Sequence, residues 1–114
     1  MLARSYRLRS PRDISRVFRR GHYAVSGPFL IKSAPNNLPL SRLVVVVSKK
    51  VSKKAVVRNK IRRQVSGYLE QNWKTVLPGY DIVITVREDV SKQETAKQHR
   101  DLAELLRRNH LISK

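Results

Sequence analysis

The chain has 114 residues, is 40% hydrophobic, contains no cysteine, and sets 25 Lys or Arg against 8 Asp or Glu for a formal net charge of +17. That length suits one domain with a modest core, and the hydrophobic share argues against a disordered tail. Disulfides, cysteine-held zinc and a thiol nucleophile are excluded, no apolar run nears the ~20 residues of a membrane span, and the charge favours a polyanionic partner, with nucleic acid first, an anionic membrane surface second and an acidic protein third.

Residues 1–9 are basic and aperiodic, an irregular arm or edge segment without the apolar core of a signal peptide, so a soluble cytoplasmic protein is the default. Ser10-Pro11-Arg12-Asp13 is a helix start: Ser as N-cap, Pro at the first helical position, an acid at the third. A helix over 11–20 follows, with Ile14, Val17 and Phe18 on one face and Gly21 as its stop. Tyr23 to Val25 makes a short strand. Phe29 to Ala34 alternates after Gly27-Pro28: Phe29, Ile31 and Ser33 point one way, Leu30, Lys32 and Ala34 the other. After a loop with two prolines, Leu43 to Val47 is a continuous apolar run, the mark of a central strand covered on both faces. A basic loop spans 48–54 and a helix runs from about Ala55 to Trp73. Pro78-Gly79 breaks the chain before a strand from Asp81 to Arg87. Ser91-Lys92-Gln93-Glu94 has the form of a capping box and opens a last helix to about Asn109, with Leu102, Leu105 and Leu106 inward. The order is α-β-β-β-α-β-α in one domain over 1–114: an α+β fold, one sheet with helices packed on it as a two-layer sandwich.

Between Lys49 and Arg63 the chain carries eight Lys or Arg and no acid. Val57, Ile61 and Val65 recur every fourth residue, so the charges ride on a helix docked to a core. With Val57 at zero, Ile61, Val65 and Tyr68 fall at roughly 40°, roughly 80° and roughly 20°, an inward arc. Asn59 at about 200° and Arg63 at about 240° face outward, together with Arg62 at about 140°. Arg58 at about 100° and Lys60 at about 300° lie at the borders. Lys49, Lys50, Lys53 and Lys54 extend this ridge into the preceding loop. Guanidinium forks suit phosphate oxygens, and an Asn serves sugar hydroxyls or base edges. The alternative is a solvated face that keeps the protein soluble. It is weakened by the lack of interleaved acids for i,i+4 pairing.

These residues resemble the protein subunit of bacterial ribonuclease P. The motif is Ser48-Lys49-Lys50 followed by Ala55-Val56-Val57-Arg58-Asn59-Lys60-Ile61-Arg62-Arg63. The resemblance extends to Asp13-Ile14-Ser15-Arg16-Val17-Phe18-Arg19-Arg20-Gly21 near the N-terminus, and to Gly79-Tyr80-Asp81-Ile82-Val83-Ile84 with Arg87. It departs at Ser66-Gly67, where the family has Arg-Glu, at Ile14, where it has an aromatic, and at Val44, where a small residue is usual.

The resemblance implies a mixed four-stranded sheet with a left-handed β-α-β crossover. It implies a partner, the catalytic RNA of ribonuclease P, and a substrate, precursor tRNA, whose 5′ leader the holoenzyme removes by hydrolysis. Magnesium held by that RNA carries out the chemistry; no cofactor is expected on the protein and no catalytic residue, and the protein is expected as a monomer in a 1:1 ribonucleoprotein. Arg58, Asn59, Lys60, Arg62, Arg63, Lys53 and Lys54 are the expected contacts to the catalytic RNA. A cleft between the N-terminal helix and the sheet is expected to hold the leader, with Phe18, Phe29, Lys32, Lys49, Lys50 and Arg12 as its residues. For Phe18 and Phe29 core packing is the alternative. The eight acids do not converge as a two-metal site needs, and His22, His99 and His110 show no ligand spacing. The competing class is a non-catalytic ribosomal or RNA-chaperone protein, which would share the charge but not the Arg-Asn motif.

Overall fold

The computed structural model describes residues 4–112. A 3-10 turn at Arg4–Tyr6 is followed by α1 (Pro11–Arg20), β1 (His22–Ser26), β2 (Phe29–Pro35), β3 (Arg42–Val47), α2 (Ala55–Gln71), a 3-10 turn at Trp73–Thr75, β4 (Tyr80–Val86) and α3 (Thr95–Arg108). The order α-β-β-β-α-β-α is that expected. The beginning of the N-terminal segment, residues 1–3, lies outside the described residues. No helix among them is long and apolar enough to cross a membrane.

The sheet is mixed, in the order β1-β2-β4-β3. β1 and β4 flank β2 antiparallel, and β3 lies parallel to β4. A parallel neighbour cannot be reached by a tight turn, so α2 makes the crossover. β3 is therefore an edge strand and not the central one that its apolar run suggested. Such a run reports cover on two faces; it says nothing about lateral position. Beyond β3 the N-terminal segment supplies one bridge, Arg7 to Leu43, with the Leu8 N–H donating to the Leu43 carbonyl at 2.8 Å.

Both faces of the sheet are covered, by different helices. Ile61, Val65 and Leu69 of α2 and Leu102, Leu105 and Leu106 of α3 pack on Phe29, Ile31, Leu43, Ile82 and Ile84. On the other face Val17 of α1 and Leu8 pack on Ala34 and Val83, with Ile14, Val44 and Val46 beside them. Each such aliphatic side chain, taken fully from water, contributes roughly 1.5–3 kcal/mol. α1 crosses the sheet near one end only. Its Asp13 meets Arg42 at the start of β3, its Arg16 meets Asp81 near the start of β4, and Gly21 abuts Ser33 on β2. The other end of that face, Leu30, Thr85 and Val46, is left half-buried.

Gly21 ends α1 in an extended conformation, with φ −76° and ψ 152°, not in the left-handed one that favours glycine. Its lack of a side chain serves another purpose. A Cβ there would stand 2.5 Å from the Val17 carbonyl oxygen and 2.8 Å from that of Ser33. Two helix boundaries differ from expectation. α2 stops at Gln71, where the Asn72 side-chain amide donates to the Tyr68 carbonyl at 2.9 Å. Ser91 opens no helix: its N–H and hydroxyl both donate to Asp89 Oδ1, at 2.9 and 2.6 Å. Local side-chain bonding of this kind competes with helix capping, and α3 begins four residues later at Thr95 with Glu94 at its N-cap. The two Ser91 bonds hold the Asp89 carboxyl below the usual carboxylate range.

Candidate nucleic-acid interface

α2 carries the ridge over an apolar stripe, with Arg62 lying closer to the sheet and Lys60 more open than their helical angles suggest. Ile61 and Val65 are fully buried, Val57 and Tyr68 pack at the core margin, and Asn59, Lys60 and Arg63 are exposed. Arg58 and Arg62 are half-buried and turned toward the exit of β3. Arg58 Nη1 donates to the Ser52 carbonyl at 2.9 Å and so clamps the basic loop. Arg62 Nη1 donates to Asn59 Oδ1 at 2.7 Å, and its Nη2 reaches the Val47 carbonyl at 3.4 Å. A guanidinium has five N–H donors, so both arginines keep donors for a ligand. The Asn59 oxygen is engaged, which leaves its NH2 as the outward group.

Lys49, Lys50, Lys53 and Lys54 are all exposed on the loop that enters α2. Lys54 is the N-cap residue, no side chain caps the helix, and no acid lies in its first turn. Cations at the positive end of a helix dipole are unfavourably placed, and an anion there relieves both. Among the described residues no acid forms an ion pair with Arg58, Arg62 or Arg63.

A second region lies where α1 leaves the sheet open. Phe18 is 43% exposed, and Lys32 Nζ stands 4.8 Å from the centre of its ring, within cation–π range. Tyr23 is 68% exposed and pairs in register with Lys32 across the β1–β2 ladder. Tyr23 is absent from the residues expected for this cleft; the alternation along β2, carried across the hairpin, is the signal that points to it. Phe29 is a correction. It is completely buried among the α2 and α3 side chains, on the opposite face from Phe18. Successive strand residues alternate faces, so Phe29 and Lys32 point oppositely. Arg12 is exposed on the first turn of α1, about 9 Å along the axis and a third of a turn from Phe18; the structure does not bring the two together. Lys49 and Lys50 follow β3 at the end of the sheet where the cleft is open.

The position of α1 is fixed by a charged knot that no local sequence pattern marks. Asp81 is fully buried. Arg42 donates from Nε to its Oδ1 at 2.8 Å and from Nη2 to its Oδ2 at 2.7 Å, Arg16 Nη2 reaches Oδ2 at 2.5 Å, and the Asn36 amide donates to Oδ1 at 3.0 Å. Asp13 adds a contact to Arg42 at 3.2 Å. The hydrogen bonds to Asp81 raise the Arg42 guanidinium above its ordinary value. On α3, Glu104 pairs with Arg107 and Arg108.

A pocket of about 300 Å³ opens between the N-terminal segment, the outer edge of β3 and α2. Ser66 stands at its mouth between Arg62, Arg63, Arg7 and Arg9, and Leu8, Leu43, Val44 and Val45 form its floor.

These features define a small, strongly basic α+β protein that presents cations from one helix and its entry loop, next to a half-covered sheet face with an exposed aromatic. The chain belongs to the ribonuclease P protein family, whose profile matches residues 2–110. It is 34% identical over 111 residues to the ribonuclease P protein component of Rippkaea orientalis, covering 93% of this chain and 87% of that one. It is 32% identical to that of Geobacillus thermodenitrificans, covering 94% and 88%. Among solved structures, the ribonuclease P protein of Staphylococcus aureus superposes with a TM-score of 0.85 at 26% identity, over 95% of this chain and 98% of that one. The Thermotoga maritima protein does so with a TM-score of 0.81 at 31% identity, over 90% and 96%.

Proposed function

We propose that the chain is the protein subunit of a ribonuclease P holoenzyme and acts by binding two RNAs. The α2 ridge, with Arg58, Asn59, Lys60, Arg62 and Arg63 and the loop residues Lys53 and Lys54, engages the backbone of the catalytic RNA. The open end of the sheet, with Phe18, Lys32 and Tyr23 and with Lys49 and Lys50 at its exit, holds the single-stranded 5′ leader of precursor tRNA. Ring stacking combined with cationic backbone contacts holds a single strand without sequence demand. The protein thereby assists endonucleolytic removal of the leader, as a 1:1 partner of the RNA in the cytoplasm. One observation carries this reading: on α2 a set of guanidinium and ammonium groups, in no ion pair with an acid among the described residues, is anchored by a buried apolar stripe. Magnesium belongs to the RNA in this reading. Among the described residues no group of three or more His, Cys, Asp or Glu side chains is placed to hold a metal ion.

The test is cleavage of precursor tRNA by catalytic RNA at low magnesium, with and without the protein. A rise in rate is expected, larger for substrates with a leader of several nucleotides than for those with one. An unchanged rate overturns the proposal.

A further inference from the structure

The pocket beside Ser66 lies outside the cleft and shares Arg62 and Arg63 with the ridge. Its floor is apolar, and its rim carries guanidinium groups from two separate parts of the chain, Arg9 on the N-terminal segment and Arg62 and Arg63 on α2. Its volume, about 300 Å³, lies at the lower end of ligand-binding pockets. Backbone groups along a strand point alternately to its two sides. The Leu43 carbonyl faces outward to the Leu8 N–H, and the Val47 carbonyl faces outward to Arg62. Val45, midway between them, turns its N–H and C=O to the same outer edge, where it lines the pocket. An edge strand offers such groups for pairing. Here the adjacent donor and acceptor stand over an apolar floor, inside a cationic rim.

We infer that this pocket takes one unstacked nucleotide of the catalytic RNA, its base seated beside the outer edge of β3 with its own edge hydrogen-bonded to the Val45 backbone, and its flanking phosphates on Arg62, Arg63 and Arg9. The assignment rests on the function proposed above. The Watson–Crick edge of every base carries a hydrogen-bond donor beside an acceptor, the match to a backbone N–H and C=O, and unpaired nucleotides are the form in which RNA bases are read by proteins. The phosphates on either side of an extruded base remain at the rim, where the guanidinium groups stand. An apolar occupant would leave that rim unanswered, and a bare anion would leave the floor unanswered. Ser66 is the small residue that keeps the mouth open. A long side chain at that position would occupy the space the base needs.

Two measurements test this. In the first, nucleoside monophosphates are titrated into the isotopically labelled protein and compared with inorganic phosphate. Saturable shifts at the Val45 and Ser66 amides are expected with each nucleotide, and phosphate alone should move resonances of the rim arginines but not Val45. Equal responses to nucleotide and phosphate would mean an anion site only and overturn the inference. In the second, Ser66→Trp, which plugs the mouth from the solvent side of α2, should weaken affinity for the catalytic RNA about tenfold, the scale of one lost base stack. It should also abolish the Val45 response, with the thermal melt unchanged. Wild-type affinity in S66W overturns the pocket while leaving the subunit role intact, provided the wild-type protein stimulates cleavage. A wild-type protein without stimulation fails the functional reading instead.

Discussion

Two arginine clusters in this chain have opposite fates. Arg16 and Arg42 converge on Asp81, which is fully buried, and both donate to its carboxylate. Arg58, Arg62 and Arg63 sit on α2 with no acid partner among the described residues, and the bonds of Arg58 and Arg62 are to carbonyls and one amide. The residue type is the same, so the neighbouring carboxylate decides the role. Where a buried acid stands, arginine becomes part of the frame; where none stands, it remains available to an external polyanion. The two phenylalanines repeat the contrast. Phe29 is sealed in the core, and Phe18 is open with a lysine against its ring.

The contrast makes graded predictions. Phe29→Ala should lower stability by about 3–5 kcal/mol, the cost of emptying a core site, read as a shift in the urea midpoint. Phe29→Leu should recover most of it. Asp81→Ala should cost about 3 kcal/mol, because two guanidinium groups lose the buried carboxylate they share; their partial exposure, 30% and 22%, and the remaining contacts to Asp13 keep the loss below that of a sealed pair. In this variant the salt dependence of binding to the catalytic RNA should be unchanged at temperatures where it is folded. A changed slope would break the division between frame and ligand arginines. Phe18→Ala should leave the melt nearly untouched and weaken binding of leader-bearing precursor tRNA by about 1–2 kcal/mol, the worth of one base stack, with no effect on a substrate lacking a leader. Replacing Arg62 and Arg63 together by Ala should flatten the log–log slope of RNA affinity against salt by about two units, one per lost phosphate contact. Its effect on the urea midpoint should be small. The smallest effect is expected of Gly67→Ala. A Cβ there meets nothing within 4 Å, so the helix should gain up to ~1 kcal/mol with RNA affinity unchanged.

Much of this architecture is legible in the residue pattern. The period of Val57, Ile61 and Val65 places the ridge, because a helix face is a property of local spacing alone. The alternation from Phe29 to Ala34 separates the two faces of β2, but not which face α1 covers. Phe29 is therefore open to either role until the helix positions resolve it. The edge position of β3 is not legible, since pairing order is set by contacts distant in sequence. Nor is the knot at Asp81, whose partners Arg16, Asn36 and Arg42 lie 65, 45 and 39 residues away in sequence. The capping box at Ser91 fails for a local reason: Asp89, two residues earlier, holds that hydroxyl first.

The outer edge of β3 has a consequence for how the protein behaves in bulk. Four consecutive valines, Val44 to Val47, line a strand whose far side, among the described residues, is bridged by the N-terminal segment at Leu43. Such an edge is a template for pairing between copies. The formal charge of +17 holds copies apart. Neutralising that charge without covering the edge, as a short polyphosphate would, should bring the protein out of solution, whereas a folded RNA large enough to lie across α2 and the edge should keep it dispersed. The partner that discharges the protein must also shield it, and the order of mixing then governs the yield of assembled complex.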